Sequence, residues 1–287
     1  VKKQAFKEDF FRILFFLSAA TAIVAIILIC LFIFMNGLPF IGKYGIGRFL
    51  LGKDWSPSNS PASFGILPMI LGSLLITAGA IVVGVPTGIF TSVFMVYYCP
   101  KPLYRFLKSS INLMAAIPSI VYGFFGLQLL VPWIRSFSGN GMSVLTASLL
   151  LGIMILPTII SLSESAIRTV PASYYSGSLA LGASHERTIF SVILPAAKSG
   201  VFSAIILGIG RAIGETMAVI LVAGNQPIIP SGLFEGTRTM TTNIVLEMAY
   251  ASGQHREALI ATSAILFIFI LMINACFAYV KGKSVHD

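Results

Sequence analysis

An arginine and a glutamate stand four residues apart inside an apolar run, Gly208-Ile209-Gly210-Arg211-Ala212-Ile213-Gly214-Glu215-Thr216. The guanidinium of Arg211 is a planar fork of donors that matches the oxygens of a tetrahedral anion. An ionisable group at bilayer depth costs at least about 2.5–3.5 kcal/mol on insertion scales, so it turns to a protein interior or a water-filled path. On a continuous helix the spacing puts both groups on one face. Two readings stand. One is a structural ion pair, although arginine before glutamate is the weaker order. The other is an anion path, in which Arg211 meets the anion while Glu215 positions Arg211 and keeps binding from becoming too tight. Gly210 and Gly214 have the small-xxx-small spacing that lets another helix approach closely. With Gly208 they lack the spacing and the βαβ context of a dinucleotide fingerprint.

A second pair at the same spacing, Glu164 and Arg168, closes another apolar run. A helix-end ion pair is the plain expectation there, and a gate is the sharper one. No Gly-x-x-x-x-Gly-Lys-Ser/Thr occurs, so nucleotide hydrolysis is expected in a partner. No nucleophile elbow, zinc-ligand pair or histidine–carboxylate constellation stands out. His185, His255 and His286 look isolated and outside the apolar runs. Cys30, Cys99 and Cys276 form no CxxC and read as small packing residues. No metal site, no cofactor and no catalytic residue is expected on this chain.

These residues need helices that cross lipid. Of the 287 residues, 56% are hydrophobic and only 10% charged, against about a quarter charged in a soluble domain. Six runs approach the roughly 20 apolar residues of a span: 10–36, 66–96, 103–131, 143–167, 197–222 and 257–280. The first is too long for a signal peptide and reads as a retained helix. The formal net charge of +9 reflects short basic loops rather than a nucleic-acid surface. With the N-terminus inside, the inner segments hold Lys2, Lys3, Lys7, Arg12, Lys101, Arg105, Lys108, Arg168, Arg187, Lys198, Lys281 and Lys283. The outer segments hold Lys43, Arg48, Lys53, Arg135, Arg238 and Arg256. Both termini therefore read as cytoplasmic. Two long outer loops follow, 37–65 and 223–256, the second with a short helix near Met240 to Tyr250. Each is either a solvated cap or a docking surface. On the inner side, 168–198 carries a helical stretch from Ala172 to Val192, a lever for a soluble partner or an interfacial helix.

The segment Ser176 to Pro195 resembles the cytoplasmic loop of ABC importer permeases, E-A-A-x-x-x-G-x9-I-x-L-P. Gly182 falls on the glycine, Val192 on the isoleucine and Leu194-Pro195 on the closing pair, while Ser176, Gly177 and Ser178 replace E-A-A. Ile117 to Gly126, Leu156 to Pro171 and Arg211 to Val219 resemble signatures of phosphate importer permeases. Met217-Ala218-Val219 and Gly224-Asn225 look like the PstC type. The resemblance spans roughly residues 66–280.

The resemblance implies an all-α, polytopic membrane bundle of about six helices with the type I ABC importer permease fold. It implies an N-terminal part, 1–65, and a core permease domain, 66–287, with the coupling loop near 168–198. A PstA-like second permease, two cytoplasmic ATPase subunits holding ATP and Mg, and an external phosphate-binding protein are the implied partners. The location is the inner membrane, multi-pass. The family's phosphate-path residues fall on Arg211 and Glu215, and Thr216, Ser119 and Tyr122 are candidate hydroxyls by residue type. The coupling segment brings Gly182, Ala183, Ser184, His185, Glu186, Arg187, Leu194 and Pro195 toward the ATPase. Rival readings are an ABC permease for another oxyanion and an ion-coupled secondary transporter. The latter needs inverted repeats, and no such halves are evident.

Overall fold

Apolar runs longer than a soluble core can use become long helices, because in lipid a chain must satisfy its backbone groups internally. A computed structural model describes residues 2–137 and 139–286. In chain order the helices are α1 (Lys2–Tyr44), α2 (Ile46–Leu51), α3 (Leu67–Val93), α4 (Lys101–Ala116), α5 (Ser119–Phe125), α6 (Val131–Arg135), α7 (Val144–Arg168), α8 (Ala172–Ala180), α9 (His185–Thr188), α10 (Leu194–Ala196), α11 (Lys198–Gly214), α12 (Met217–Val222), α13 (Met240–Met248) and α14 (Gly253–His286). Short π-helical turns extend α3 (Phe94–Tyr98), join α5 to α6 (Gly126–Leu130) and join α9 to α10 (Ile189–Ile193). Among the described residues four helices are long and apolar enough to cross a membrane, over Phe10–Tyr44, Leu67–Tyr98, Val144–Arg168 and Gly253–Cys276. The number rises to six if each of two bent pairs is one span: Lys101–Ala116 with Ser119–Arg135, bent by 101°, and His185–Ala196 with Lys198–Gly214, bent by 71°.

Helix α7 is the hub. It packs along α3 and α11 and touches α4, α5 and α12. Leu150, Leu151, Met154, Ile155 and Ile159 of α7 are fully buried with Ile76 and Ala80 of α3 and Ala218, Val219 and Val222 of α12. Helix α3 approaches closely because its contact positions are glycines. A Cβ on Gly84 would stand 2.7 Å from the Ile155 side chain, and one on Gly88 would stand 2.7 Å from that of Ile159. Helix α1 lies apart and packs on α14, with Phe15 and Phe16 exposed.

Several expectations are corrected. The stretch 103–131 is not one straight helix. It breaks at Ile117-Pro118, where Ile117 is extended (φ −67°, ψ 127°), as the ring of a following proline requires. The stretch 197–222 breaks between α11 and α12. The stretch from Ala172 to Val192 is two helices, because Gly182 takes φ +85° and ends α8 in the manner of a glycine C-cap. Its N–H reaches the Leu179 carbonyl at 2.9 Å. The stretch 37–65, expected as an outer loop, is no open loop. Helix α1 continues through Pro39 to Tyr44, α2 follows, and strands β1 (Trp55–Ser56) and β2 (Ser63–Phe64) pair antiparallel with Trp55 opposite Phe64. Phe40, Phe49, Trp55, Phe64, Met240 and Leu259 bury together beneath it. The expected short helix near Met240 is present as α13.

The faces of Gly210 and Gly214 stay open. No atom of the described residues lies within 4 Å of a Cβ built on either, so no described helix of this chain takes the close approach that their spacing permits. Gly208 does the packing, against Ile159. Gly84→Val should overpack the α3–α7 contact at a cost of about 1–3 kcal/mol, read as a lower thermal midpoint of the purified protein. Gly210→Ala should leave the midpoint unchanged or slightly higher.

Candidate functional site

Arg211 lies in the last turn of α11, half-buried, beside α7. Its Nη1 reaches the Thr158 hydroxyl at 3.4 Å, and among the described residues it forms no ion pair. The face relation expected with Glu215 does not hold. Helix α11 ends at Gly214, and Glu215 is extended (φ −70°, ψ 133°). Its Oε1 instead accepts the backbone N–H groups of Thr216 at 3.1 Å and Ala218 at 3.2 Å, so it caps the first turn of α12, as a carboxylate at a helix N-terminus does. The Glu215 carbonyl accepts from the Thr241 hydroxyl of α13 at 3.0 Å. The break thus separates the two charges, and the open glycine face borders Arg211.

The candidate hydroxyls fall at the two breaks. Thr216 donates to the Gly214 carbonyl at 3.3 Å. Tyr122 donates to the Met114 carbonyl at 2.9 Å and thereby pins α5 to the end of α4. Ser119 opens α5 at the same break, half-buried. Thr158 lies within the stretch Leu156 to Pro171 and is a further residue of the site. Its proximity to Arg211 is a contact across 53 positions that no local spacing signals.

Glu164 is buried at the end of α7 and holds three donors. Tyr104 donates at 2.6 Å, Lys108 at 2.7 Å and the Arg168 Nε at 2.9 Å. The Arg168 guanidinium also lies 5.0 Å over the Tyr104 ring. The Glu164–Arg168 pair read from the sequence is therefore present, and its larger part is a bond between α7 and α4. Tyr104 and Lys108 were missed because they stand 60 and 56 positions away.

In the coupling segment Gly182, Ser184, Glu186 and Arg187 are exposed, Ala183 is half-buried and Pro195 exposed. Ser184 caps α9 by accepting from the Arg187 N–H at 3.2 Å. The most exposed large side chain at the apex is Leu181, at 91%, a position the motif comparison did not pick. Leu194 turns inward onto Val93, Ile167, Ile189 and Ile193. His185 is not isolated: its Nδ1 lies 2.6 Å from the Tyr175 hydroxyl. Nor is His255, whose Nε2 lies 2.7 Å from Glu247. Glu247 also accepts from the Trp55 indole at 2.9 Å and pairs with Arg238.

Residues 84–283 match the family described as the binding-protein-dependent transport system inner membrane component. The chain belongs to that family. It is a membrane permease subunit of the inner membrane, and the matched stretch contains every candidate site residue above. A probable ABC transporter permease protein, YqgH, of Bacillus subtilis (strain 168) is 37% identical over 266 residues, covering 89% of this chain and 86% of that protein. The phosphate transport system permease protein PstC of Mesorhizobium japonicum is 31% identical over 287 residues, covering 91% and 87%. Among solved structures, a chain of the inward-facing MetNI methionine ABC transporter superposes with a TM-score of 0.62 at 18% identity, covering 76% of this chain and 95% of that one. That likeness supports the ABC importer permease fold.

The permease's α4–α7 bond gives a direct test. Glu164→Gln removes the charge that Lys108 and Arg168 share. Both cations retain solvent access, so the loss should be about 1–3 kcal/mol, read as a lower midpoint in thermal unfolding. A midpoint within 1 °C of the parent would show that the bond contributes nothing.

Proposed function

We propose that this chain, with a second permease, lines the path of inorganic phosphate through the membrane in an ATP-driven importer. The observation that carries the reading is Arg211. It is a guanidinium at membrane depth, bonded only weakly to Thr158 and bordered by an open glycine face. A cation so placed is costly unless an anion or water meets it. Relatives named as phosphate permeases support the choice of anion.

The partners follow from the ABC reading. A PstA-like permease closes the other side of the cavity, an external binding protein delivers phosphate, and two cytoplasmic ATPase subunits hold ATP and Mg. Both termini face the cytoplasm, in keeping with the bias of lysine and arginine. Phosphate enters from the outer side and meets Arg211, with Thr158 and the Ser119 and Thr216 hydroxyls as added donors. Tyr122 shapes the wall, its hydroxyl being held by Met114. Glu215 acts through the backbone: by capping α12 it holds open the break beside Arg211. ATP binding biases one of two states, and access alternates between the faces. The Glu164–Arg168–Lys108 cluster is a gate element on the cytoplasmic side, tying α4 to α7.

A lone guanidinium does not choose among tetrahedral oxyanions, so competition by sulfate and molybdate belongs in the same assay. In the assembled complex Arg211→Ala should lower labelled phosphate uptake at least tenfold at matched membrane abundance, with ATP hydrolysis retained. Arg211→Lys should keep part of the uptake, since a point charge replaces the fork. Unchanged uptake in Arg211→Ala would make the residue structural.

A further inference from the structure

We propose that Tyr97, Tyr98, Tyr175 and His185 form a clamp that carries displacement of the coupling loop into the anion path by way of α3 and α7, an inference that rests on the transport reading above. The π-helical turn Phe94–Tyr98 ends α3. Such turns widen the helix and occur often at functional sites. Here the turn presents two consecutive tyrosines to the two arms of the loop. Tyr97 stacks on Tyr175 of α8, with ring centroids 5.5 Å apart and planes 22° apart. Tyr98 meets the His185 ring of α9 edge-on at 4.9 Å.

The arms are also bonded to each other. The Tyr175 hydroxyl lies 2.6 Å from His185 Nδ1, and Ser178 and Thr188 hydroxyls are 2.9 Å apart. Helices α8 and α9 therefore behave as one body across the Gly182 turn, and α3 grips both. Beneath the clamp, Val93 of α3 is buried with Ile167, Ile189 and Ile193. Farther along, Ile155 and Ile159 of α7 seat on Gly84 and Gly88 of α3, and packed interiors do not deform continuously. Thr158 stands on α7 next to Ile159. Gly208 of α11 also seats on Ile159, and Ala197 and Val201 at the 71° bend are buried with Ile189 and Ile193. A push on the loop thus moves α3, α7 and α11 together, and carries Arg211 and Thr158 with them as one wall of the path. The four side chains are positioning residues and touch no substrate.

The test uses the full transporter, with its partner subunits, in proteoliposomes. Phosphate moved per ATP hydrolysed is the readout, because a merely structural role would lower transport and hydrolysis together. Tyr97→Ala should lower that ratio about tenfold with hydrolysis within twofold of the parent, and Tyr97→Phe should restore it. Tyr175→Phe keeps the stack and loses the bond to His185, and should lower the ratio about threefold. It also serves if Tyr97→Ala fails to assemble. An unchanged ratio in both variants would overturn the clamp. A second readout needs no phosphate: labelling of Gly210→Cys, with the three native cysteines replaced, by an impermeant maleimide. ATP with vanadate should change the labelling rate in the parent and not in Tyr97→Ala, and an equal change in both would also overturn the proposal. Failure of the phosphate reading looks different, as the parent complex would then take up no phosphate at all.

Discussion

The close seating of α3 on α7 sets the geometry of everything else. Lipid supplies no hydrophobic drive between helices, so association depends on how closely backbones can approach. Gly84 and Gly88 provide that approach, and Ile155 and Ile159 fill the notches they leave. With α7 fixed, Thr158 and Glu164 are fixed too. Glu164 then gathers α4, while Ile159, on its other side, receives Gly208 of α11 and so places Arg211.

The second constraint is that a helix broken at membrane depth must satisfy its own free groups. Both breaks near the candidate path do so with side chains that look functional in a linear reading. Glu215 spends its carboxylate on the N–H groups of Thr216 and Ala218. Tyr122 spends its hydroxyl on Met114. The consequence is electrostatic. A carboxylate that caps α12 forms no ion pair with Arg211, and the guanidinium is left without a carboxylate partner among the described residues. The pairing that spacing suggested would have neutralised the group best suited to meet an anion.

Much was legible because it is local. The long apolar runs, the Glu164–Arg168 pair and the helix near Met240 all follow from periodicity or spacing. What failed needed distance or context. Tyr104 and Lys108 reach Glu164 across a bend, and Thr158 reaches Arg211 from another helix. Gly210 and Gly214 carry a spacing that admits another helix, and no described helix of this chain takes it, while the close approaches to α7 include those at Gly84, Gly88 and Gly208. The stretch 37–65 reads as a loop because Gly37, Pro39, Pro57 and Pro61 interrupt it, while its aromatic residues build a small core of their own against α13 and α14.

The central claim, that the anion meets Arg211 with Thr158 beside it as an added donor, is tested most directly by substrate protection. Thr158→Cys in the assembled transporter, with native cysteines replaced, is treated with a small charged thiol reagent with and without inorganic phosphate. The account predicts that phosphate slows the labelling severalfold, and that adding Arg211→Ala removes the protection. Labelling at the same rate with and without phosphate, in a complex that still transports, would place the anion elsewhere.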